Sequence, residues 1–140
     1  MPAEEPRAVY WDASALVSLL VQDSHTKAAR RELRNGSHHL VSSLAMAEVL
    51  AVLAWTAREV PGSAEAVGEV QEEFLAGPWA WLSISPSRDT CGNLADAHSL
   101  KGADLWHRAA AVDLREELPG LRLLTYDARL AAAAEREGLA

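Results

Sequence analysis

Strand-like and helix-like runs alternate along the chain, and this alternation constrains the fold more than any other feature. Four short runs of strand-forming character lie at residues 9–11, 40–41, 79–85 and 121–126. Helical patterns follow each of them, in the order strand, helix, helix three times and then strand, helix. Strands separated by helices form a parallel sheet with right-handed crossovers and helices on both faces. We therefore expect an α/β fold with a central parallel sheet of about four strands.

Capping and turn residues set the predicted limits of the helices. The first helix is predicted at residues 13–21, and the others at 25–33, 44–58, 63–76, 87–99, 103–118 and 128–138. Residues 1–7 carry two Pro and two Glu, which predicts a flexible lead. We expect residues 1–140 to form one domain, because a chain of this length buries a single core.

Composition indicates the cellular environment of the chain and limits the kinds of partner that it can bind. A single cysteine, Cys91, excludes an internal disulfide and fits a reducing cytoplasm. The apolar run at residues 13–21 is preceded by acidic residues and not by a basic segment, so we expect no signal peptide and no membrane span. The formal charge of −7 argues against broad electrostatic binding of nucleic acid, unless a metal reverses the charge locally.

One carboxylate, Asp12, interrupts the apolar run of residues 9–20 at the junction between the first strand and the first helix. Ligands of α/β proteins bind at the carboxyl ends of the strands, where side chains and helix N-termini converge. A second interpretation is that Asp12 or Ser14 only caps the helix by accepting a backbone N–H bond. Both interpretations are open at this point.

A second carboxylate, Glu48, interrupts a helix that is otherwise apolar on every side, which is the pattern of a buried helix. An ionised carboxylate in such a setting costs several kcal/mol unless it is paired or bound to a metal. The partner of Glu48 is either a metal or a buried arginine. Alternatively, the helix has a local apolar end that leaves Glu48 at the surface.

Four carboxylates are predicted to meet at the carboxyl edge of the sheet. Asp12 and Asp127 each end a strand, Asp104 begins a helix, and Glu48 lies little more than one turn into another helix. Carboxylates that share one edge repel each other, and a divalent cation relieves that repulsion. Oxygen ligands without a Cys or His cluster favour Mg²⁺ or Mn²⁺. Such a site suits hydrolysis of a phosphate ester by a metal-activated water.

These acids stand in sequence contexts that resemble the motifs of the PIN domain, and in size and layout the chain is similar to VapC-type toxins of bacterial toxin–antitoxin pairs. The resemblance covers nearly the whole chain. It rests on Val-Tyr-Trp-Asp12-Ala-Ser14, Ser-Leu-Ala-Met-Ala-Glu48-Val, Leu-Lys-Gly-Ala-Asp104-Leu-Trp-His107 and Leu-Leu-Thr125-Tyr-Asp127-Ala-Arg-Leu.

The resemblance implies a metal-dependent endoribonuclease. It implies that one or two Mg²⁺ or Mn²⁺ ions are bound by Asp12, Glu48 and Asp104, with Asp127 contributing directly or through water. It further implies an RNA substrate, a homodimer and a small antitoxin whose C-terminal segment lies over the active-site groove.

Four further residues have an interpretation in this setting. Ser14 and Thr125 are each two residues from an acid, so their hydroxyls could orient a metal-bound water; helix capping by Ser14 and strand packing by Thr125 are the alternatives. Arg108 could contact an RNA phosphate or an antitoxin carboxylate, or pair with Asp104 one turn before it. His107 could bind metal, although a packed, hydrogen-bonded histidine is favoured at this position.

Two other functions fit parts of the pattern. A protein of the same fold could act only by dimerisation and partner capture, but the presence of all four acids argues against it. An aspartyl-nucleophile phosphatase would use Asp12 to attack phosphate. That chemistry usually needs a second acid two residues later, where this chain has Ser14. A structural α/β module would leave Glu48 unexplained.

Overall fold

The computed structural model describes residues 7–35 and 38–139, and its elements follow the predicted order. The predicted lead falls mainly on residues 1–6, which lie outside the described part. The elements are β1 (Ala8–Trp11), α1 (Ala13–Leu20), α2 (Thr26–Arg34), β2 (His38–Ser42), α3 (Ser43–Glu59), α4 (Ala64–Leu75), β3 (Trp79–Leu82), α5 (Arg88–Ala97), α6 (Gly102–Arg115), β4 (Arg122–Leu124) and α7 (Ala128–Arg136).

The four strands form one parallel sheet in the order β3-β2-β1-β4, which confirms the predicted α/β class. β1 lies in the interior of the sheet, where Tyr10 is in register with Leu40 of β2 and Leu123 of β4. All four residues of β1 are buried, as expected for a strand covered by helices on both faces. β1 therefore places the residue that follows it, Asp12, at the middle of the carboxyl edge.

Alternate residues of β1 enter two separate cores. Trp11 packs on one face with residues of α1, α2, α3 and α4, including Leu16, Val49 and Phe74. Tyr10 packs on the opposite face with Ala110 of α6, with Ala134 of α7 and with other apolar residues. The two-residue repeat of a strand explains this division, since neighbouring side chains point to opposite faces. The sheet thus separates two layers of helices, one on each face.

The helix α3 differs from the prediction of a helix buried on every side. Ala45, Val49 and Leu53 are its buried residues, while Val52 is 40% exposed and Trp55 is 56% exposed. An apolar pattern predicts a helix that avoids water, but it does not distinguish burial within the chain from an apolar face at the surface. The hydroxyl of Ser42 caps the helix by accepting a hydrogen bond from the Ala45 N–H at 3.0 Å.

The membrane prediction can be compared with the length and polarity of the helices. Within the described residues, no helix is both long and apolar enough to cross a bilayer.

Candidate functional site

The predicted site residues follow the ends of strands or begin helices at one edge of the sheet. Asp12 lies between β1 and α1, and Thr125 and Asp127 lie between β4 and α7. Asp104 lies in the first turn of α6, and α3 carries Glu48. The backbone N–H of Asp12 donates to the Leu124 carbonyl at 3.0 Å, so the first and last of these junctions are joined directly.

Asp12 is 2% exposed, and two hydroxyl groups hold its carboxylate. Ser14 Oγ and Thr125 Oγ1 each donate to Asp12 Oδ2 at 2.6 Å. Asp12 occupies the N-cap position of α1, but its side chain makes no capping hydrogen bond. The capping interpretation was therefore wrong for Asp12, and the arrangement instead fixes one carboxylate oxygen by charge-assisted hydrogen bonds.

Ser14 and Thr125 also tie this carboxylate to the backbone after β4. The N–H of Tyr126 donates to Ser14 Oγ at 3.0 Å, and the N–H of Asp127 donates to Thr125 Oγ1 at 3.1 Å. The interpretation of Ser14 as a helix cap was wrong, because its hydroxyl serves Asp12 and Tyr126 instead. Each hydroxyl accepts from the backbone and donates to Asp12, which fixes the direction of its hydrogen.

Glu48 has a partner that the sequence did not reveal. His107 Nε2 lies 2.5 Å from Glu48 Oε1, and Tyr10 Oη lies 2.7 Å from His107 Nδ1. Tyr10 and His107 are fully buried, whereas the Glu48 side chain is 31% exposed. Both nitrogens of His107 are engaged in this way, which agrees with the favoured expectation of a packed, hydrogen-bonded histidine. The expected partners of Glu48 were a metal or an arginine, and neither expectation included His107.

The other acids act electrostatically on Asp104. Burial raises the pKa of Asp104, and the negative charges of Asp127 and Asp12 raise it further, with a smaller contribution from Glu48. His107 has the opposite effect on this pKa. Asp104 and Asp127 line a cleft of about 340 Å³ together with Lys101 and Ala128. The four carboxylates thus share one electrostatic environment although they come from four separate elements.

The acids form an open site rather than a closed metal cage. Within residues 7–35 and 38–139, no three His, Cys, Asp or Glu side chains form a compact metal-binding group. In the same part of the chain, Asp12 Oδ1 and Glu48 Oε2 accept no hydrogen bond. Carboxylate oxygens in an open arrangement fit Mg²⁺ or Mn²⁺, since Mg²⁺ keeps several waters and takes only one or two carboxylates directly. The residues present therefore fit a hard divalent cation.

Arg108 does not belong to this site. Its side chain is fully buried, and Nη2 contacts Glu137 Oε1 at 3.0 Å and His98 Nε2 at 2.9 Å. The predicted contacts with Asp104, RNA or a partner were therefore wrong, because residue 108 lies on the face of α6 that packs toward the chain after α7. Burial lowers the pKa of Arg108, while the charge of Glu137 partly offsets that effect.

Sequence reasoning missed Tyr10 as a residue of the site. Burial raises the pKa of Tyr10 far above its ordinary value, so its hydroxyl keeps its proton. A signal was available, because a tyrosine in a buried strand needs a hydrogen-bond partner for its hydroxyl. The partner lies 97 residues away, and only the folded topology brings it close.

Comparisons with known proteins agree with this geometry. The family model of the PIN domain matches residues 9–139. Ribonuclease VapC45 and Ribonuclease VapC49, both of Mycobacterium tuberculosis, are each 33% identical over 133 residues, which cover 93% of this chain and 91% of the relative. Ribonuclease VapC46 of the same species is 32% identical and covers 95% of each chain.

Two solved structures have a similar fold. PAE2754 from Pyrobaculum aerophilum superimposes with a TM-score of 0.65 at 22% identity, covering 94% of this chain and 89% of its own. Mycobacterium tuberculosis VapC20, described as a toxin that cleaves the sarcin–ricin loop, gives a TM-score of 0.59 at 15% identity and covers 89% and 94%. The chain therefore belongs to the PIN-domain family, in its VapC-type branch.

Proposed function

We propose that this chain is an endoribonuclease toxin that hydrolyses RNA phosphodiester bonds at its acidic edge with Mg²⁺ or Mn²⁺. The observation that carries the proposal is the convergence of Asp12, Glu48 and Asp127 on Asp104, because the negative charges of those three raise the pKa of Asp104. Repulsion of this kind between carboxylates is relieved by a cation. The ribonuclease names of the sequence relatives support the same reaction class.

Each residue around the cleft has a proposed role in this reaction. Asp12, Glu48, Asp104 and Asp127 would hold the metal directly or through water. When bound there, a metal would supply Lewis acidity toward the phosphate oxygens and an activated water for in-line attack. Ser14 and Thr125 keep the Asp12 carboxylate in one orientation through their 2.6 Å hydrogen bonds. Lys101 lines the cleft beside Asp104 and would attract an RNA phosphate in a chain of net charge −7.

The deciding experiment is cleavage of a structured RNA by the purified chain, with Mg²⁺ or Mn²⁺ and with a chelator. We expect Asp12→Asn and Glu48→Gln to lower kcat by about 100-fold or more, because each keeps the side-chain shape and removes a metal-binding charge. Glu69→Gln is the matched control, since Glu69 is an exposed residue of α4. Cleavage that survives chelation, or is equal in all three variants, would contradict the proposal.

We also propose that the chain forms a homodimer through its exposed apolar surface. Five of the seven exposed large apolar residues among the described part of the chain lie on α3, directly after it, on α4 or on β3, namely Val52, Trp55, Val60, Leu75 and Trp81. Contiguous exposed apolar surface is typical of interfaces between proteins. Trp55→Glu should convert a dimer to a monomer in light scattering, whereas Val21→Glu, at an exposed apolar residue elsewhere, should not. A monomeric wild type would contradict this part of the proposal.

The remaining proposals concern the cell and the regulator. We place the protein in the cytoplasm, and we propose that a small antitoxin lies over the acidic cleft with a cationic segment. Charge complementarity with the four carboxylates supports such a segment. The product of a neighbouring short reading frame should inhibit RNA cleavage, and replacing its Lys and Arg residues by Gln should abolish inhibition. Unchanged inhibition would contradict cationic docking at the cleft.

A further inference from the structure

We propose that His107 is a positioning residue that donates from Nε2 to Glu48 Oε1 and leaves Glu48 Oε2 for the metal, with Tyr10 fixing the tautomer of His107. This inference rests on the proposed function, because it gives a role at the same acidic edge to two residues that would not bind metal themselves. It is carried by one chain of contacts, from Tyr10 on β1 through His107 on α6 to Glu48 on α3.

The positions of the hydrogens follow from the chemistry of the three groups. An ionised carboxylate only accepts hydrogen bonds, so His107 Nε2 must carry the hydrogen that is shared with Glu48. In the tautomer with this hydrogen, Nδ1 has a lone pair, to which the Tyr10 hydroxyl can donate across 2.7 Å. One tautomer therefore satisfies both contacts at once. The other tautomer would place the lone pair of Nε2 against the carboxylate.

Packing keeps the His107 ring in this orientation. The ring is fully buried and lies edge-on to Tyr10, with centroids 5.7 Å apart, and edge-on to Trp106, with centroids 5.5 Å apart. A buried ring between two aromatic neighbours cannot rotate without opening the core. The Glu48 side chain is partly exposed, so without His107 its carboxylate would be held only by mobile solvent. A fixed ring orients the carboxylate more strictly than solvent does.

The contact also joins the two helical layers across the carboxyl edge. Glu48 belongs to α3, which packs on the Trp11 face through Val49, whereas His107 belongs to α6, which packs on the Tyr10 face. Among the described residues, this bond to His107 is the one hydrogen bond that ties the Glu48 carboxylate to the opposite layer. We infer that the bond sets the separation between Glu48 and the other acids. Partners of this kind in metal sites typically change metal affinity by about 10- to 100-fold when they are removed.

The chain contains a matched control for this inference. Trp11 Nε1 donates to His39 Nδ1 at 3.0 Å, and the two rings have the same centroid distance of 5.7 Å as Tyr10 and His107. His39 is also buried, but its Nε2 has no hydrogen-bond partner within the described residues. Substitution of His39 thus reproduces the loss of a buried histidine on an aromatic donor without changing any contact to Glu48.

The first test measures Mn²⁺ binding by calorimetry in the absence of RNA. We expect His107→Leu to weaken Mn²⁺ affinity by about 10- to 100-fold. His107→Gln should lose less, because its side-chain amide restores a donor. His39→Leu and His39→Gln should keep the wild-type affinity even where they lower the Tm. Wild-type affinity in folded His107→Leu, or an equal loss in His39→Leu, would overturn the proposal.

The second test needs neither metal nor a folded variant at residue 107. Long-range ¹H–¹⁵N NMR of the metal-free wild type should show His107 with its hydrogen on Nε2, and Tyr10→Phe should lower the share of this tautomer, because only the contact with Glu48 then favours it. A wild-type His107 with its hydrogen on Nδ1 would overturn the proposal. A chain that shows the expected tautomer and Mn²⁺ effects but cleaves no RNA would contradict the proposed function alone, so the two failures are distinguishable.

Discussion

Two neighbouring residues of β1 each form a hydrogen bond with a buried histidine. A comparison of the two pairs shows which features belong to the core and which belong to the acidic site. Tyr10 and His107 lie on one face of the sheet, and Trp11 and His39 lie on the other. In both pairs an aromatic donor serves Nδ1, and the rings meet edge-on at 66° and 65°. The pairs differ at the far nitrogen, which contacts Glu48 only in the first of them.

The difference shows that burial of a histidine beside an aromatic donor does not by itself give that histidine a role at the acidic site. Burial lowers the pKa of His39 and keeps its imidazole neutral, so this pair reads as a polar contact within the core. The Tyr10 and His107 pair uses the same local chemistry but ends on a carboxylate at the edge of the sheet. We infer that the position of the second contact, rather than the type of residue, gives the pair its role.

The largest difference between the two pairs is expected in their effect on kcat, measured with double variants in an RNA cleavage assay. Glu48→Ala should lower kcat by about 100-fold or more, and His107→Leu by about 10- to 100-fold. The double variant should be no slower than Glu48→Ala, because His107 acts through Glu48. His39→Leu combined with Glu48→Ala should instead give the product of the single effects within about twofold, as for independent sites. Additivity between His107 and Glu48 would remove the distinction between the pairs.

Metal binding should raise the stability of the fold through the acidic edge that the Tyr10 and His107 pair supports. Mn²⁺ at 100 times its Kd should stabilise the wild type by about 2.7 kcal/mol, measured by urea unfolding. Asp104→Asn should shrink this gain. In chelator the same variant should raise the Tm, because the raised pKa of Asp104 means that its ionised form destabilises the fold at neutral pH.

Mn²⁺ should also broaden NMR signals of the His107 ring more than those of His39. Equal broadening would contradict the placement.

Removal of the aromatic donors should affect stability in both pairs but activity in one. Tyr10→Phe should lower the free energy of unfolding by about 1–3 kcal/mol, since it leaves the buried Nδ1 of His107 without a donor. Trp11→Phe should destabilise at least as much, because it also removes buried volume. Only Tyr10→Phe should reduce kcat per folded molecule. Urea midpoints and cleavage rates on the same samples decide this, and a matching fall in kcat for Trp11→Phe would weaken the comparison.

The smallest effect is expected in the pH dependence of stability. The folded-state pKa of His39 is lowered from 6.5 mainly by burial, so the unfolded chain binds a proton that the folded chain resists. Its contribution to stability is fully present above pH 6.5 and is lost as the pH falls below that value. His39→Gln should therefore flatten the fall of the Tm below pH 6.5. An unchanged slope would show that His39 titrates normally.

The sequence predicted the order of strands and helices along the chain, and the junctions at which Asp12 and Asp127 lie, because both depend on local patterns. Strand ends, turn residues and helix starts are local signals, and they placed Asp12 and Asp127 at equivalent junctions. The sequence also indicated that Glu48 needs a partner. It could not identify His107, because the two residues are 59 positions apart and come from helices that pack on opposite faces of the sheet.

The incorrect interpretations have a related origin. Arg108 follows His107 directly, and a single step along a helix turns a side chain by about a quarter of a turn, from the acidic edge into the core near Glu137. The spacing from Asp104 suggested a surface ion pair, but spacing alone does not state which face of the helix is covered. The exposed side of α3 was missed for the same reason, since an apolar residue such as Trp55 carries no sign of what it will contact.

The hydrogen bond from Thr125 to Asp12 spans 113 positions of the chain. Thr125 follows β4 and Asp12 follows β1, so this carboxylate is held in place only when those two strands have paired. Pairing between segments so far apart in sequence forms later in folding than local helices do. The enzyme we propose would therefore be inactive in any partly folded state in which β4 has left β1.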